Sequence, residues 1–258
     1  MPIDTARPRY VLRFLWMMAL FGPAACSTPP DTTTESGAES PTEQAVYVTG
    51  PPALPEGSGK LYLGREIAQM GDTPDVTEWL ERPGREAEEF PSRLIQALEL
   101  APTDVVADIG AGTGYFTFRM ARLVTEGKVF AVDIQPAMLE HIRNRMAEEG
   151  VVNIETVPGS FTSPNLPPAS VDLALVVVSY HEFSHPREMM QSIVRSLKVG
   201  GRFVLVEYRG EDATVPVSAV RRMTEAQAVK EMRAVGLRWR ETKNILPQQH
   251  FMVFEKPD

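Results

Sequence analysis

The sequence predicts an α/β fold: a doubly wound, Rossmann-like sheet of seven strands that ends in an antiparallel hairpin. Short apolar runs alternate with amphipathic segments between residues 105 and 236, as in a parallel sheet covered by helices. The run 105–109 leads into closely spaced glycines and then into an amphipathic stretch, which indicates strand, tight loop and helix. The last two runs, 237–245 and 250–255, are joined by Leu-Pro-Gln-Gln, which favours antiparallel pairing.

The segment 105–114, Val-Val-Ala-Asp-Ile-Gly-Ala-Gly-Thr-Gly, carries the most specific pattern of the chain. Its alternate glycines let backbone approach a ligand where a Cβ would collide, and the next helix begins with unpaired N–H groups. A nucleotide-like ligand at the carboxyl end of the first parallel strand is therefore expected. A dinucleotide fingerprint needs its third glycine one place later, where Tyr115 stands. The alternative is a turn that only lets the helix pack on the sheet.

This spacing, with an acid just before the first glycine, resembles the first motif of class I S-adenosylmethionine (SAM) dependent methyltransferases. In that family the acid and the glycine loop hold the amino-acid end of the cofactor. The resemblance covers roughly residues 61–256. It implies SAM contacts by Asp108, Gly110, Ala111, Gly112 and Gly114.

The second strand, Lys128–Val132, ends at Asp133, about 20 residues after the glycines. An acid there accepts hydrogen bonds from ribose hydroxyls, so Asp133 and the adjacent Ile134 are predicted cofactor contacts. The alternative is that Asp133 only caps the following helix.

The third strand, Asn153–Val157, leads to Ser160 and Phe161. The family usually carries an acid here that contacts the adenine amino group. The Ser160 hydroxyl, the backbone and stacking on Phe161 are three open alternatives for that contact.

The run Val171–Ser179 is the most apolar of the chain and predicts a central strand buried on both faces. Ser179 is a predicted cofactor contact at its end. Methyl transfer to an O–H or N–H group needs a proton acceptor, and His181 is the candidate because histidine titrates nearest neutral pH. Glu182 would orient His181 or act instead. The alternative is a core histidine beside a surface acid.

Other polar residues have weaker assignments. Glu207, at the tip of the fifth strand, is expected to face the crevice and select a basic or hydroxylated substrate, and residues 207–220 to form part of a substrate lid. Three arginines near the N-terminal segment would either meet a ligand carboxylate or be solvated: Arg65, Arg82 and Arg85. No HExxH or comparable spacing is present, so no metal site is expected.

The composition limits the class of partner. The 258 residues allow one sizeable domain plus a tail, and the net charge of −8 disfavours nucleic acid. The single cysteine excludes a disulfide framework. The chain lacks an Asn-Pro-Pro-Tyr run like that of enzymes methylating amide or adenine nitrogens, so the resemblance implies a small-molecule or lipid acceptor, as in the group that includes quinone-biosynthesis methyltransferases.

The N-terminus is typical of an export signal. Arginines precede the apolar run Phe14–Phe21, which is too short to span a bilayer, and small residues follow. Ala24-Ala25-Cys26 resembles a bacterial lipobox, although Pro23 replaces the preferred aliphatic residue. We expect a signal peptide over 1–26, a disordered linker over 27–58 and the catalytic domain over 59–258, with lipid on Cys26 holding the protein in the cell envelope. Ordinary secretion, a misassigned start and a cytoplasmic protein are the alternatives.

Residues 61–98 are expected to be helical, in short pieces at 67–70 and 76–80 and a longer helix over 86–98.

The sequence leaves three hypotheses for the function. A SAM-dependent methyltransferase is favoured. A catalytically silent lipoprotein that binds a SAM-like ligand or a partner is the alternative, because SAM is made and used in the cytosol whereas the N-terminus indicates export. A nicotinamide oxidoreductase is disfavoured by Tyr115 and the terminal hairpin. The oligomeric state is not predicted.

Overall fold

The computed structural model describes residues 46–71 and 76–258. The predicted signal peptide, Cys26 and the linker up to residue 45 lie outside the described residues. The strands are β1 (Tyr47–Thr49), β2 (Gly57–Tyr62), β3 (Arg65–Ala68), β4 (Val105–Ile109), β5 (Lys128–Asp133), β6 (Ile154–Pro158), β7 (Val171–Val177), β8 (Leu197–Arg209), β9 (Arg222–Met223), β10 (Arg238–Lys243) and β11 (Gln249–Glu255). The α-helices are α1 (Val76–Leu80), α2 (Arg85–Glu89), α3 (Pro91–Ala97), α4 (Tyr115–Ala121), α5 (Pro136–Glu149), α6 (Pro186–Ser196) and α7 (Glu225–Ala234).

The main sheet has the order β10-β11-β8-β7-β4-β5-β6. Strands β4 to β8 pair in parallel, whereas β11 runs antiparallel to both β8 and β10. The predicted α/β fold, with its seven-stranded path and C-terminal hairpin, is therefore confirmed. The two-residue β9 adds an eighth strand by pairing in parallel with β8.

The core lies on both faces of this sheet because successive side chains of a strand point to opposite sides. Val106 packs in a cluster with residues of α3 and α4, whereas its neighbour Ala107 packs with residues of α6 and α7. The central strands are buried on both faces, which explains why most of their residues are apolar. Within residues 46–71 and 76–258, no helix has the length and hydrophobicity needed to cross a bilayer.

The N-terminal part of the domain is a separate antiparallel sheet, β1-β2-β3. The prediction of a disordered linker is thus wrong for residues 46–58, and the predicted helical piece at 67–70 begins inside β3. The buried carboxylate of Glu66 orders the polar loop: it accepts hydrogen bonds from the backbone N–H groups of Ala53, Leu54 and Gly59 at 2.9–3.2 Å. Composition alone does not reveal such a long-range contact.

The helical segment after this sheet is more broken than predicted. Helix α1 matches the expected piece, but the expected helix over 86–98 is divided into α2 and α3. Phe90 separates them with a left-handed backbone conformation (φ 53°), and Pro91 then begins α3 because proline is tolerated in the first turn.

A buried ion pair attaches the N-terminal sheet to the main domain. Arg65 of β3 donates to both carboxylate oxygens of Glu231 in α7, at 2.7 and 2.9 Å. The Tyr180 hydroxyl donates to the same carboxylate at 2.7 Å, and burial raises the pKa of Tyr180 well above its usual value. Arg65 also donates to the backbone carbonyl of His181 at 3.2 Å. The sheet therefore supports the segment that carries His181.

We predict that Arg65→Met lowers the free energy of unfolding by about 3–5 kcal/mol, because it leaves the charge of Glu231 buried without its partner. The matched control is Lys128→Met, which breaks the solvent-exposed pair with Glu155 and is expected to cost about 1 kcal/mol or less. Urea unfolding monitored by circular dichroism measures both. Equal losses in the two variants would contradict the structural role of the Arg65–Glu231 pair.

Candidate functional site

A cavity of about 570 Å³ lies at the carboxyl ends of β4, β5 and β7. The chain order reverses between β4 and β7, and such a switch point is where doubly wound sheets bind their ligands. Of the predicted site residues, the following line the cavity: Gly110, Gly112, Asp133, Ile134, Ser160, Phe161, Ser179, His181 and Glu182.

The glycine loop forms one wall of the cavity. Gly110 has φ +77°, and a Cβ on it would lie 2.9 Å from the Ser179 hydroxyl oxygen. Gly112 has φ +54°, and a Cβ there would lie 3.0 Å from a methyl carbon of Leu80. Both positions therefore need glycine, for backbone conformation and for space.

Asp133 joins this loop to the end of β5. One carboxylate oxygen accepts the Gly112 N–H at 2.8 Å and the other accepts the Gln135 N–H at 2.8 Å. Burial raises the pKa of Asp133. A carboxylate has about four acceptor positions, so further positions remain for a ligand hydroxyl. Asp133 accepts from the N–H of Gln135, the residue before α5, and not from an N–H of the helix itself, so the alternative that it only caps the helix is not supported.

Three predicted cofactor contacts lie behind the cavity wall and do not line it: Asp108, Ala111 and Gly114. Asp108 is only 3% exposed and accepts a hydrogen bond from the Thr117 hydroxyl at 2.6 Å. Ala111 belongs to the core cluster. A Cβ on Gly114 would lie 3.0 Å from the Phe118 ring, so this glycine lets α4 pack closely. In this structure these three residues pack the glycine loop against the core and α4.

The turn after β7 directs polar groups into the cavity. Val178 lies in the left-handed region with φ 50°, which is strained for a β-branched residue. The hydroxyl of the next residue, Ser179, is buried and has no hydrogen-bond partner within the described residues. An unpartnered buried hydroxyl is costly, so a polar ligand group at this point of the cavity would satisfy it.

Ser160 and Phe161 differ in what they offer a ligand. The Ser160 hydroxyl already accepts the Ser163 N–H at 3.0 Å and donates to the Ser163 carbonyl at 3.2 Å. Phe161 is 52% exposed and lines the cavity. Between the Ser160 hydroxyl and the Phe161 ring, the geometry therefore favours stacking on Phe161.

His181 lies in a short 3₁₀ helix, Tyr180–Glu182, and is buried. Its Nδ1 is 2.9 Å from a carboxylate oxygen of Glu207, and its Nε2 is 3.3 Å from a guanidinium nitrogen of Arg221. The same nitrogen of Arg221 donates to Glu182 at 3.3 Å. The alternative of a core histidine beside a surface acid matches the burial of His181, but the ring contacts a carboxylate and a guanidinium, and Glu182 lines the cavity.

The expectation that Glu207 faces the crevice is wrong. Its side chain is fully buried behind His181 and does not line the cavity. Arg65, Arg82 and Arg85 also do not line it, because each is paired with a glutamate: Arg65 with Glu231, Arg82 with Glu88 and Glu89, and Arg85 with Glu89.

Sequence reasoning missed Arg221, which enters the cavity from the segment after β8. Other residues that were not predicted as site residues also line it, and they come from separate elements; examples are Met70, Trp79, Tyr208 and Val217. Arg221 belongs to no motif, and its neighbour Arg222 has the same charge. The predicted lid over 207–220 is consistent with the placement of Val217, but no local signal identifies the arginine.

The cavity fits SAM on three observations: glycines where any side chain would intrude, a buried carboxylate with free acceptor positions and an unpartnered hydroxyl. Among residues 46–71 and 76–258, no group of three or more His, Cys, Asp or Glu side chains could hold a metal ion.

Comparisons with known proteins agree with this geometry. Residues 106–201 match the methyltransferase domain family. The chain is 30% identical over 141 residues to an uncharacterized methyltransferase, YcgJ, of Bacillus subtilis, which covers 54% of this chain and 55% of that protein. It is 31% identical over 105 residues to a ubiquinone/menaquinone biosynthesis C-methyltransferase, UbiE, of a Marinomonas species, which covers 40% of this chain and 42% of that protein. The chain thus spans about half the length of these curated relatives.

The crystal structure of a SAM dependent methyltransferase from Aquifex aeolicus superposes with a TM-score of 0.67 at 19% identity, and covers 72% of this chain and 100% of that one. At this identity the likeness shows the fold. The chain therefore has the fold of SAM-dependent methyltransferases and contains a segment that matches a methyltransferase domain. These findings support an enzyme of that class and imply SAM as its cofactor.

We predict that Asp108 makes the folded protein less stable as the pH rises. Burial raises its pKa to about 6, partly offset by the Thr117 hydroxyl and by Arg85, with Asp133 adding repulsion. Between about pH 4 and pH 6 the folded chain retains a proton that the unfolded chain has lost, so the free energy of unfolding falls across this window. The total is on the order of 3 kcal/mol.

Asp108→Asn should remove this contribution. The free energy of unfolding of the variant, relative to that of the wild type, should therefore rise as the pH increases over the same window. Urea unfolding at several pH values measures it. Asp212→Asn is the control of opposite sign, because hydrogen bonds from Thr214 lower the pKa of Asp212. A difference between Asp108→Asn and wild type that does not change with pH would refute the assignment.

Proposed function

We propose that this protein transfers a methyl group from SAM to a small-molecule or lipid acceptor. The observation that carries the proposal is the cavity at the switch point, where the glycine loop, the Asp133 carboxylate and the unpartnered Ser179 hydroxyl converge. Each lies at the end of a different parallel strand, so the main sheet itself holds them in position.

In this proposal four groups of the protein each bind a different part of the cofactor. The backbone at Gly110 and Gly112 holds the amino-acid end, with the Ser179 hydroxyl as a hydrogen-bonding partner. The free acceptor positions of Asp133 bind the ribose hydroxyls, and Phe161 stacks on the adenine. When bound, SAM supplies an electrophilic methyl group. The fold contributes chiefly by holding the acceptor in line with it.

His181 is the proposed proton acceptor. Arginine can only donate hydrogen bonds, so Nε2 of His181 accepts from Arg221 in this structure, and the methyl acceptor would take the place of Arg221 at that nitrogen. Glu182 contacts Arg221 and lines the cavity beside it, where it supports the position of the guanidinium.

No observation favours the catalytically silent alternative, and the observed antiparallel hairpin argues against a nicotinamide oxidoreductase.

An apolar acceptor is supported by the rim of the cavity. Met70, Trp79 and Phe161 line it and are partly exposed, and the net charge of −8 disfavours nucleic acid. The similar UbiE protein is named for a C-methyltransferase of quinone biosynthesis. We extend from that protein only the broad class of acceptor, a small molecule or lipid.

We also propose that lipid on Cys26 anchors the protein in the bacterial cell envelope. The support is the sequence pattern of residues 1–26, which lies outside the described residues. Membrane attachment would bring the cavity close to lipid-borne acceptors. Metabolic labelling with palmitate in a bacterial host tests it: we expect label in the wild-type protein and none in Cys26→Ala. Label retained by the variant, or missing from the wild type, would remove the anchor and favour a cytoplasmic location.

We predict that the full chain binds SAM with micromolar affinity and that Gly112→Val abolishes binding, because the added side chain enters the cavity beside Leu80. Gly150→Val is the matched control. Gly150 has a similar positive φ of +66°, but a Cβ on it would meet nothing within 4 Å. Both variants strain the backbone, and only one fills the cavity.

Isothermal titration calorimetry with SAM and with S-adenosylhomocysteine measures the binding, and thermal unfolding shows whether each variant folds. The absence of heat with both ligands in the wild type would refute the proposed function. Equal loss of binding in Gly112→Val and Gly150→Val would instead attribute the effect to backbone strain.

A further inference from the structure

We infer that the methyl acceptor presents a hydroxyl group, and that this hydroxyl binds between Nε2 of His181 and the guanidinium of Arg221, with Glu207 as the residue that positions His181. The inference rests on the proposed function for the identity of the reaction. Its evidence is the hydrogen-bonding pattern of these three side chains.

Glu207 holds His181 at two points. One carboxylate oxygen accepts the backbone N–H of His181 at 3.2 Å, and the other is 2.9 Å from Nδ1. The Glu207 side chain is 0% exposed, so water does not compete for this carboxylate. An ionised carboxylate can only accept, and the contact therefore places the imidazole proton on Nδ1.

Arg221 specifies the other side of the ring. Its guanidinium nitrogen lies 3.3 Å from Nε2, which must be the unprotonated nitrogen because a guanidinium has no acceptor. Contacts from opposite sides of the imidazole thus require the same tautomer. Arg221 is itself held by Glu56 at 2.7 Å, by Glu182 at 3.3 Å and by the Gln69 carbonyl at 3.3 Å. The donor and the acceptor are both preorganised at the cavity surface.

Nε2 has a single lone pair, which accepts from Arg221 in this structure, so a ligand group at this point must insert between the two side chains, donate to Nε2 and accept from the guanidinium. A neutral hydroxyl does both. A carboxylate lacks the proton, and the nearby acids Glu56, Glu182 and Glu207 disfavour an anion. An ammonium group lacks the acceptor and would meet the positive charge of Arg221. Of these three groups, donor and acceptor matching selects the hydroxyl.

The proposed step is balanced with SAM as the co-reactant. The O–H bond breaks, and its proton forms an N–H bond with Nε2 of His181. An oxygen electron pair forms the new bond to the methyl carbon, while the methyl–sulfur bond breaks and leaves its pair on sulfur. The products are the methyl ether, S-adenosylhomocysteine and a protonated His181, which then releases its proton to water. Glu207 stabilises the transient imidazolium, and Arg221 donates to the reacting oxygen.

The positioning role of Glu207 is tested by nitrogen NMR of the full chain labelled at histidine. The four histidines are assigned with single His→Gln variants. We expect His181 to carry its proton on Nδ1, and Glu207→Gln to shift part of the population to Nε2, because the glutamine amide can donate to Nδ1. Glu211→Gln is the matched control, since Glu211 pairs with His250 at 2.8 Å and does not line the cavity. A proton on Nε2 in the wild type, or an unchanged tautomer in Glu207→Gln, overturns the inference.

The hydroxyl subsite is tested with phenol as the probe and anisole, its methyl ether, as the control without a donor. We expect phenol, but not anisole, to move the Nε2 resonance of His181 towards that of a hydrogen-bonded nitrogen. Arg221→Gln should weaken phenol binding about tenfold or more, since it removes a hydrogen bond from a charged donor, whereas Arg221→Lys should retain part of it. Arg222→Gln, which does not alter the cavity lining, should bind phenol as the wild type does.

No response to phenol, an equal response to anisole, or wild-type binding by Arg221→Gln overturns the inference. Neither test uses SAM. A chain that binds SAM but fails these tests keeps the proposed function and loses the hydroxyl subsite. A chain that passes them but binds no SAM loses the proposed function and keeps the subsite.

Discussion

The hydrogen bond from the Gly112 N–H to the Asp133 carboxylate joins the two parts of the cavity wall on which the proposed site depends. The Val132 carbonyl next to it accepts the N–H groups of Gly110 and Ala111, at 2.9 Å each. The loop after β4 is therefore tied to the end of β5 and held in a conformation that glycine permits. If side chains occupied these positions, the loop could not keep this shape and the space for a ligand would be filled.

Buried glutamates organise the rest of the site. Glu66 orders the N-terminal loop, Glu231 binds Arg65 and so attaches the N-terminal sheet, and Glu207 orients His181. Each carboxylate is buried with hydrogen-bond donors around it, which is the condition under which a buried charge is tolerated. Because Arg65 also donates to the carbonyl of His181, the sheet, α7 and the proposed base form one connected network. The N-terminal sheet is therefore part of the architecture of the cavity.

Local patterns were sufficient where a residue's role depends on its neighbours in sequence. The strand–glycine–helix pattern located the cavity, and the positions of Asp133, Ser179 and His181 at strand ends placed their side chains along its wall. Local patterns failed where the partner is distant. Residues 46–58 have the composition of a linker, yet they are ordered in and beside the N-terminal sheet because the Glu66 carboxylate accepts hydrogen bonds from their backbone N–H groups. Glu207 was expected in the crevice because nothing near it in sequence shows that His181 covers it.

The sequence by itself determined the class of fold, its C-terminal hairpin and the glycine loop, because hydrophobic periodicity and backbone freedom are local properties. Only the tertiary structure decided which polar groups have a hydrogen-bond partner within the protein and which can still bind a ligand. It turned Asp108 away from the cavity to Thr117, left the Ser179 hydroxyl without a partner and brought Arg221 to His181. The contact of Arg221 with His181 joins residues 40 positions apart, and that of Asp108 with Thr117 depends on how α4 packs behind β4, so hydrogen-bond satisfaction is decided only when these elements pack together.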